Sequence, residues 1–413
     1  WDFGGSNGIA DNNPMEDRAD HGTHVAGIAS AVTNNGIGVA SIGYQSKLMA
    51  VKTSQDNFRN SSGSPYIVYG YEGIAYAAEN GAKIINCSWG GDGYSSLGQE
   101  VINYATQLGV LVIAAAGNAN SNLNFYPASY DKVLSIASTD QSDKKSGFSN
   151  YGEWVDVSSP GSNIYSTWMN NTYTTLNGTS MSTPLVCGLA ALTNAVFPNY
   201  TPLQIAEQIR INCDDIYGIN GTYNYQLGKG RINAYKTLSN INSKSARAYD
   251  IVLSDAQGGN GNGVFESGET VSVLLKIRNY LSTVFDLSAT LSSTSSLLSF
   301  PNGTNNFGAL ATLDSTDNYQ SPLTFTISPD AGFDQRILLV LNFSDGEYQD
   351  FQAFSIILNP TYTNQIGNDI ALTITSKGTL GFNDYPNNTQ GIGFKYLESD
   401  NFMFEGALML GTS

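Results

Sequence analysis

The chain has 413 residues, more than one ordinary hydrophobic core accommodates, so two or three domains are expected. Acidic residues outnumber basic ones 35 to 19, a net charge of −16, which argues against nucleic acid and anionic membranes as partners because no basic patch is available to neutralise phosphates. No apolar run reaches the roughly eighteen residues a membrane-spanning helix needs, and Cys87, Cys187 and Cys213 have neither CxxC nor metal-ligand spacing. Charged residues make up only 13% while Gly, Ser, Asn, Thr and Tyr are abundant, a balance that suits a secreted, loop-rich monomer.

Residues 47–52 (KLMAVK) read as a strand, 65–80 as a helix closed by Gly81, and 82–90 as a second strand. A helix over 96–108, stopped by Gly109, and strands over 110–118 and 132–139 follow. Near-continuous apolar strands separated by helices predict a mostly parallel sheet covered on both faces, an α/β three-layer sandwich. Ligands bind such sheets beyond the carboxyl ends of the strands, which directs attention to Ser88 and Asn118. A helix opening at Ser180 has apolar positions at Leu185, Val186, Leu189 and Leu192, and another starts with Thr201 as N-cap and Pro202 at its first position. The α/β part is assigned to 1–242. Beyond residues 242–248 the composition changes: 248–360 reads as an immunoglobulin-like β-sandwich, and 366–413 as an incomplete β-rich domain.

Both histidines lie in the stretch HGTH, so proton transfer near neutral pH falls to His21 or His24. Their spacing, with no intervening Glu, does not make a zinc helix. Ser180, at the start of a helix and just after Gly178, is placed where backbone N–H groups and the helix dipole favour a nucleophile. Asn118, at the end of a buried strand, offers an amide to a developing oxyanion.

The segments HGTHVAG, AAAGN and GTSMSTP, in this order, resemble the three signatures of the subtilisin-like serine proteases over roughly residues 1–240. The resemblance implies Ser180 as nucleophile, His21 as general base, Asn118 with the backbone N–H of Ser180 as oxyanion donors, and His24 as structural. It implies protein or peptide substrates held between Ser88, Trp89 and Gly90 on one wall and Ala115, Ala116 and Gly117 on the other, and the bulk of Trp89 suggests large apolar residues at the scissile bond. Met181, beside the nucleophile, is an expected site of oxidative inactivation.

In this family the triad Asp ends a strand well before the His. Asp2, Asp11, Asp17 and Asp20 do not match its pattern, so the Asp and its strand are expected upstream of Trp1. The WDF segment and its acidic turn resemble a calcium loop of thermitase-like members, which implies Asp2, Asp11 and Asn13 as structural Ca2+ ligands, with Glu16 or Asp17 adding another. Residues 32–39 resemble a second calcium loop, implying the carbonyls of Val32, Ile37 and Val39 and the amide of Asn34 or Asn35. Residues 255–269 resemble a weaker one without EF-hand spacing. Two rivals stand beside a secreted endopeptidase: a catalytically impaired binding or adhesion protein with the same fold, and a serine esterase.

Overall fold

The computed structural model describes residues 1–5, 8–15, 20–59, 65–366, 370–383, 390–396 and 405–407. The chain divides into two compact units, one of residues 1–92, 96–245 and 280–282, the other of 93–95, 246–279 and 283–413.

In the first unit, helix α1 (His21–Ser30) precedes a short antiparallel pair, β1 (Ser54–Arg59) and β2 (Pro65–Ile67). Helices α2 (Gly70–Glu79) and α3 (Ser96–Gln107) alternate with β3 (Ile84–Cys87) and β4 (Leu111–Ala115), and β5 (Val133–Thr139) and β6 (Val157–Pro160) follow. The four strands β3 to β6 form one sheet in chain order, every pair parallel. Alternation along β4 explains the layering, because successive side chains leave opposite faces of a strand. Val112 and Ala114 join Ile74, Ala77, Ile102 and Ala105 of α2 and α3. Leu111 and Ile113 pack instead with Val186, Leu189, Ile205 and Ile209 of two later helices, α4 (Thr179–Val196) and α5 (Pro202–Ile211). Both faces being covered, all five residues of β4 are buried. The Thr201 and Pro202 signals correspond to a complete capping box: the Thr201 side chain accepts from Gln204 N while Gln204 Oε1 accepts from Thr201 N.

Three local expectations are corrected. Residues 47–52 do not form a strand: Lys52 makes only an isolated bridge to Asp2, and Leu48 and Met49 are exposed, since no neighbouring strand among the described residues pairs with them. The helix expected from residue 65 begins at Gly70, because Pro65–Ile67 pairs with β1 first. An antiparallel hairpin, β7 (Ile164–Trp168) and β8 (Thr172–Leu176), lies between β6 and α4, where no element was anticipated. A short helix, α6 (Ala234–Ser239), comes near the end of the unit.

The second unit is all β. Strands β9 (Ala246–Gly258), β10 (Thr270–Asn279), β12 (Leu298–Asn302), β14 (Ser315–Asp317) and β15 (Leu323–Ile327) make one antiparallel sheet. A second contains β11 (Val284–Ser292), β13 (Thr304–Leu310), β16 (Gln335–Asp345) and β17 (Tyr348–Leu358). The inward residues of both, among them Val273, Leu275, Phe325, Leu339, Leu341 and Phe343, share one buried cluster. A further sheet is built from β18 (Tyr362–Ile366), β19 (Ile370–Thr375), β20 (Thr379–Asn383), β21 (Gln390–Tyr396) and β22 (Glu405–Ala407), so it opens at Tyr362, ahead of the expected residue 366.

Candidate active site

Gly178 caps α4 with φ +156°, a conformation that side chains rarely adopt, and Ser180 is the second residue of that helix. Its N–H belongs to the first turn, whose donors have no partner within the helix. Pro184 sits inside α4 and carries no N–H, so the carbonyl of Ser180, four residues earlier, lacks its helical donor. Ser88 Oγ takes that place at 2.9 Å, while Ser180 Oγ donates to Ser88 O at 3.2 Å. The end of β3 and the first turn of α4 are thus tied by a reciprocal pair of bonds.

Asn118 stands just past β4. Its Oδ1 accepts from Thr179 N at 2.9 Å and from Thr179 Oγ1 at 3.0 Å, and Thr179 Oγ1 in turn accepts from Gly117 N at 3.2 Å. With the carbonyl end of the amide held by two donors, Nδ2 is the end left for another acceptor. A β-carbon on Gly178 would lie 3.6 Å from Asn118 Nδ2, 3.6 Å from Ser180 N and 3.6 Å from Met181 Sδ. Asn118 Nδ2 and Ser180 N thus lie at the same distance from one point at the start of the helix that carries Ser180. Chemically, such a pair can receive an oxygen that gains negative charge.

His21 is the first residue of α1, and Asp20 is its N-cap, with Oδ1 accepting from His21 N at 2.6 Å. The Asp20 carboxylate is therefore turned to the backbone, and among the described residues no carboxylate hydrogen-bonds the His21 ring. His21 is exposed, yet the surrounding protein displaces enough water to lower its pKa; the Asp20 charge opposes this and His24 adds to it. α1 packs on α4 through Val25, Ile28 and Met181. His24 is fully buried, its Nε2 3.2 Å from Thr174 O, and burial lowers its pKa. The β7–β8 hairpin clamps the same helix: Ser166 Oγ donates to His24 O and Thr167 Oγ1 to Thr23 O, both at 2.8 Å. Sequence reasoning missed this hairpin. Its signal was the Asn170–Asn171 pair, both at positive φ.

The proposed substrate walls lie at two strand ends. Trp89 is half-buried, its indole resting on Gly70, where a β-carbon would stand 2.6 Å from Cη2, and edge-on to Tyr71 at 6.1 Å. Gly90 is exposed. Ala115, Ala116 and Gly117 are buried.

The candidate metal ligands fare differently. Asp2 is 1% exposed, and its carboxylate is engaged by Lys52 Nζ at 3.0 and 3.1 Å and by the N–H groups of Gly4 and Gly5 at 2.8 and 3.0 Å. Lys52 also pairs with Asp56 at 2.9 Å. An ammonium where calcium was expected makes Asp2 a poor fit for a cation, and that assignment is corrected. Asp11 and Asn13 are exposed, their side-chain oxygens accepting from Asn13 N and Met15 N, at 2.7 and 3.4 Å. Glu16 and Asp17 lie outside the described residues. In the 32–39 loop, Asn35 Oδ1 accepts from Ile37 N at 3.0 Å, Val32 and Ile37 expose their side chains, and Val39 is half-buried. Among the described residues no group of three or more His, Cys, Asp or Glu side chains is placed to hold a metal ion.

A family model described as Peptidase_S8, subtilase family, matches residues 1–261. The chain belongs to the subtilase family. As a subtilase it is 44% identical to thermitase of Thermoactinomyces vulgaris over 238 residues, 58% of this chain and 80% of thermitase. It is 42% identical to the thermophilic serine proteinase of Bacillus sp. (strain AK1) over 55% of this chain, and spans 54% of that relative's length. A solved protease structure from Pseudoalteromonas arctica aligns with a TM-score of 0.47 and 31% identity, covering 53% of this chain and 70% of that one. The subtilase match covers the parallel sheet and all six helices, so the α/β layering described above is the subtilisin-like fold.

Proposed function

We propose that the chain is a secreted serine endopeptidase that works through an acyl-enzyme. The observation that carries this reading is that Asn118 Nδ2 and Ser180 N both lie 3.6 Å from one point at Gly178, at the start of the helix that carries Ser180. Ser180 Oγ attacks a peptide carbonyl, His21 takes its proton, and the carbonyl oxygen, now negative, is held by the two donors. His21 then protonates the departing amine, and water repeats the sequence to free the acid. Burial lowers the pKa of His21, which favours the neutral imidazole that can take a proton. A carboxylate behind His21 is the remaining requirement, and Asp20 does not meet it because its side chain caps α1. The segment Ser88–Gly90 pairs with an extended substrate as an added strand, which favours peptides over small esters.

The same reading takes residues 248–360 as an immunoglobulin-like sandwich accessory to the peptidase, and the chain as a monomer. It retains structural calcium at the 32–39 loop, where Asn amides and backbone carbonyls are the oxygen donors such an ion takes.

The test is labelling of the full protein with a fluorophosphonate, followed by mass mapping and casein hydrolysis. Modification of Ser180 and hydrolysis lost in Ser180→Ala are expected. An unlabelled protein that leaves casein intact, or one that cleaves esters alone, would sink the reading.

A further inference from the structure

The turn that carries Asn118 leaves β4 through two uncommon backbone conformations. Gly117 stands at φ +100° and Asn120 at φ +51°, so Asn118 lies between two residues on the positive-φ side of the map. Conformations of this kind persist where surrounding groups over-determine them. Thr179 holds Gly117 N and the Asn118 side-chain oxygen. The rest of the turn is held from another part of the chain.

That part is Asn150, which is 2% exposed and lies between β5 and β6. Its Nδ2 donates to Ala116 O at 2.9 Å, while its Oδ1 accepts from Ala119 N at 2.9 Å and from Ser121 N at 3.0 Å. Its backbone N–H donates to Gly117 O at 3.0 Å. Four bonds from one residue therefore straddle Asn118, and none of the four goes to Asn118 itself. An amide suits the place because it offers a donor at one end and an oxygen with two lone pairs at the other, whereas a carboxylate only accepts. A β-carbon on Gly117 would stand 2.5 Å from Asn150 Nδ2, so the amide lies directly against the turn. The residues beside Asn150 extend the splint: Asn120 N donates to Phe148 O at 2.9 Å, and Tyr151 N to Ser121 O at 3.0 Å.

We infer that Asn150 is a positioning residue for the oxyanion amide: by fixing the backbone on both sides of Asn118, it sets where the Asn118 side chain starts and hence where its Nδ2 ends. This rests on the endopeptidase reading, in which Asn118 is the donor. The two restraints differ in kind. Thr179 orients the amide from the nucleophile's own helix, whereas Asn150 places the main chain that carries it. A donor aimed at developing charge is effective because it is in place beforehand, so a turn that relaxes by a fraction of its width takes the donor out of range without emptying the substrate walls.

The test is a double-mutant cycle on the full protein with a peptide anilide, kcat and KM being measured for Asn150→Ala, Asn118→Ala and the pair together, each at a temperature where unfolding curves show it folded. Asn150→Ala should lower kcat by about 100-fold, the cost of misplacing a catalytic group by about an ångström, with KM nearly unchanged. In the Asn118→Ala background the same change should lower kcat no further, because the group it positions is gone. Its effect on stability should be equal in both backgrounds, which separates positioning from a general loosening of the fold. If Asn150→Ala folds poorly, Asn150→Ser, which keeps a polar atom at the buried position, goes through the same cycle. A loss of kcat repeated in full without Asn118, a change confined to KM, or an unaltered kcat would overturn the inference while fluorophosphonate labelling of Ser180 still upheld the peptidase reading. No labelling and no cleavage by the unaltered protein would remove that reading, and this inference with it.

Discussion

Ser88 donates its hydroxyl hydrogen to the carbonyl oxygen of Ser180, the acceptor that Pro184 leaves without a helical partner. A proline within a helix ordinarily strands a carbonyl; here the stranded group anchors the strand that ends at the substrate wall. Ser88→Ala should leave that oxygen unpaired and lower stability by about 1–3 kcal/mol. Urea unfolding measures this. In a Pro184→Ala background the restored N–H should absorb most of the loss, and an undiminished loss there would show that Ser88 acts some other way.

On the endopeptidase reading, Thr179 orients the oxyanion donor Asn118 through its hydroxyl, which bridges Gly117 N and Asn118 Oδ1. Thr179→Val should lower kcat about tenfold with KM nearly unchanged, because the hole acts on the transition state more than on bound substrate. Asn118→Ala should cost more, about 10²–10³-fold, the loss measured on removing one such donor in subtilisin, a relative of this chain. Steady-state kinetics on a peptide anilide decide, and a change confined to KM would contradict the assignment.

Asp2 links pH to stability. Burial pushes its carboxyl pKa up, but the N–H groups of Gly5 and Gly4 and the Lys52 ammonium outweigh this and hold it below the ordinary 3.8. Because the folded value is the lower one, its contribution is fully present above pH 3.8 and disappears as pH falls through the folded value. Asp2→Asn should lose about 3 kcal/mol at neutral pH, as breaking a buried pair does. Denaturation curves for the two proteins should converge in strong acid. A constant gap down to pH 2 would rule the linkage out.

Met181 is 2% exposed, yet its sulfur lies 3.6 Å from the same point at Gly178 as Asn118 Nδ2 and Ser180 N. Peroxide should convert it to the sulfoxide, introduce an oxygen acceptor beside Asn118 Nδ2, and reduce turnover. Met181→Leu should retain activity under the same treatment. Mass-confirmed oxidation without loss of rate would refute the effect.

Chelation tests the 32–39 loop. An ion bound only by the folded chain stabilises it by mass action, so EDTA should lower Tm and added calcium restore it. Asn35→Ala should make the protein insensitive to both. A Tm indifferent to EDTA in the unaltered protein would count against calcium there.

The residues proposed to carry the chemistry stand at local features that the structure does contain. His21 opens a helix after a capping Asp, Ser180 follows a glycine at another helix start, and Asn118 ends a strand of unbroken apolar residues. Thr201 and Pro202 identified their helix for the same reason. What escaped depends on partners distant in sequence. Asp2 resembled a metal ligand because Lys52 is fifty positions away. Asn150 gave no signal of its own, since the groups its side chain binds lie 29 to 34 positions away. KLMAVK has a strand's composition, but a strand needs a neighbour, which no local pattern records.

The hydroxyl of Thr179 has one consequence for heat and time. The Asn118 amide is immobilised by groups already in place when the chain folds, so its rotational freedom is surrendered once in the life of the molecule and not again at each catalytic cycle. Little activation entropy then remains to be lost at this group during turnover. Warming that leaves the first turn of α4 intact leaves the Asn118 amide aligned as well, and on the endopeptidase reading the decay of activity on heating becomes a report on that single turn of helix.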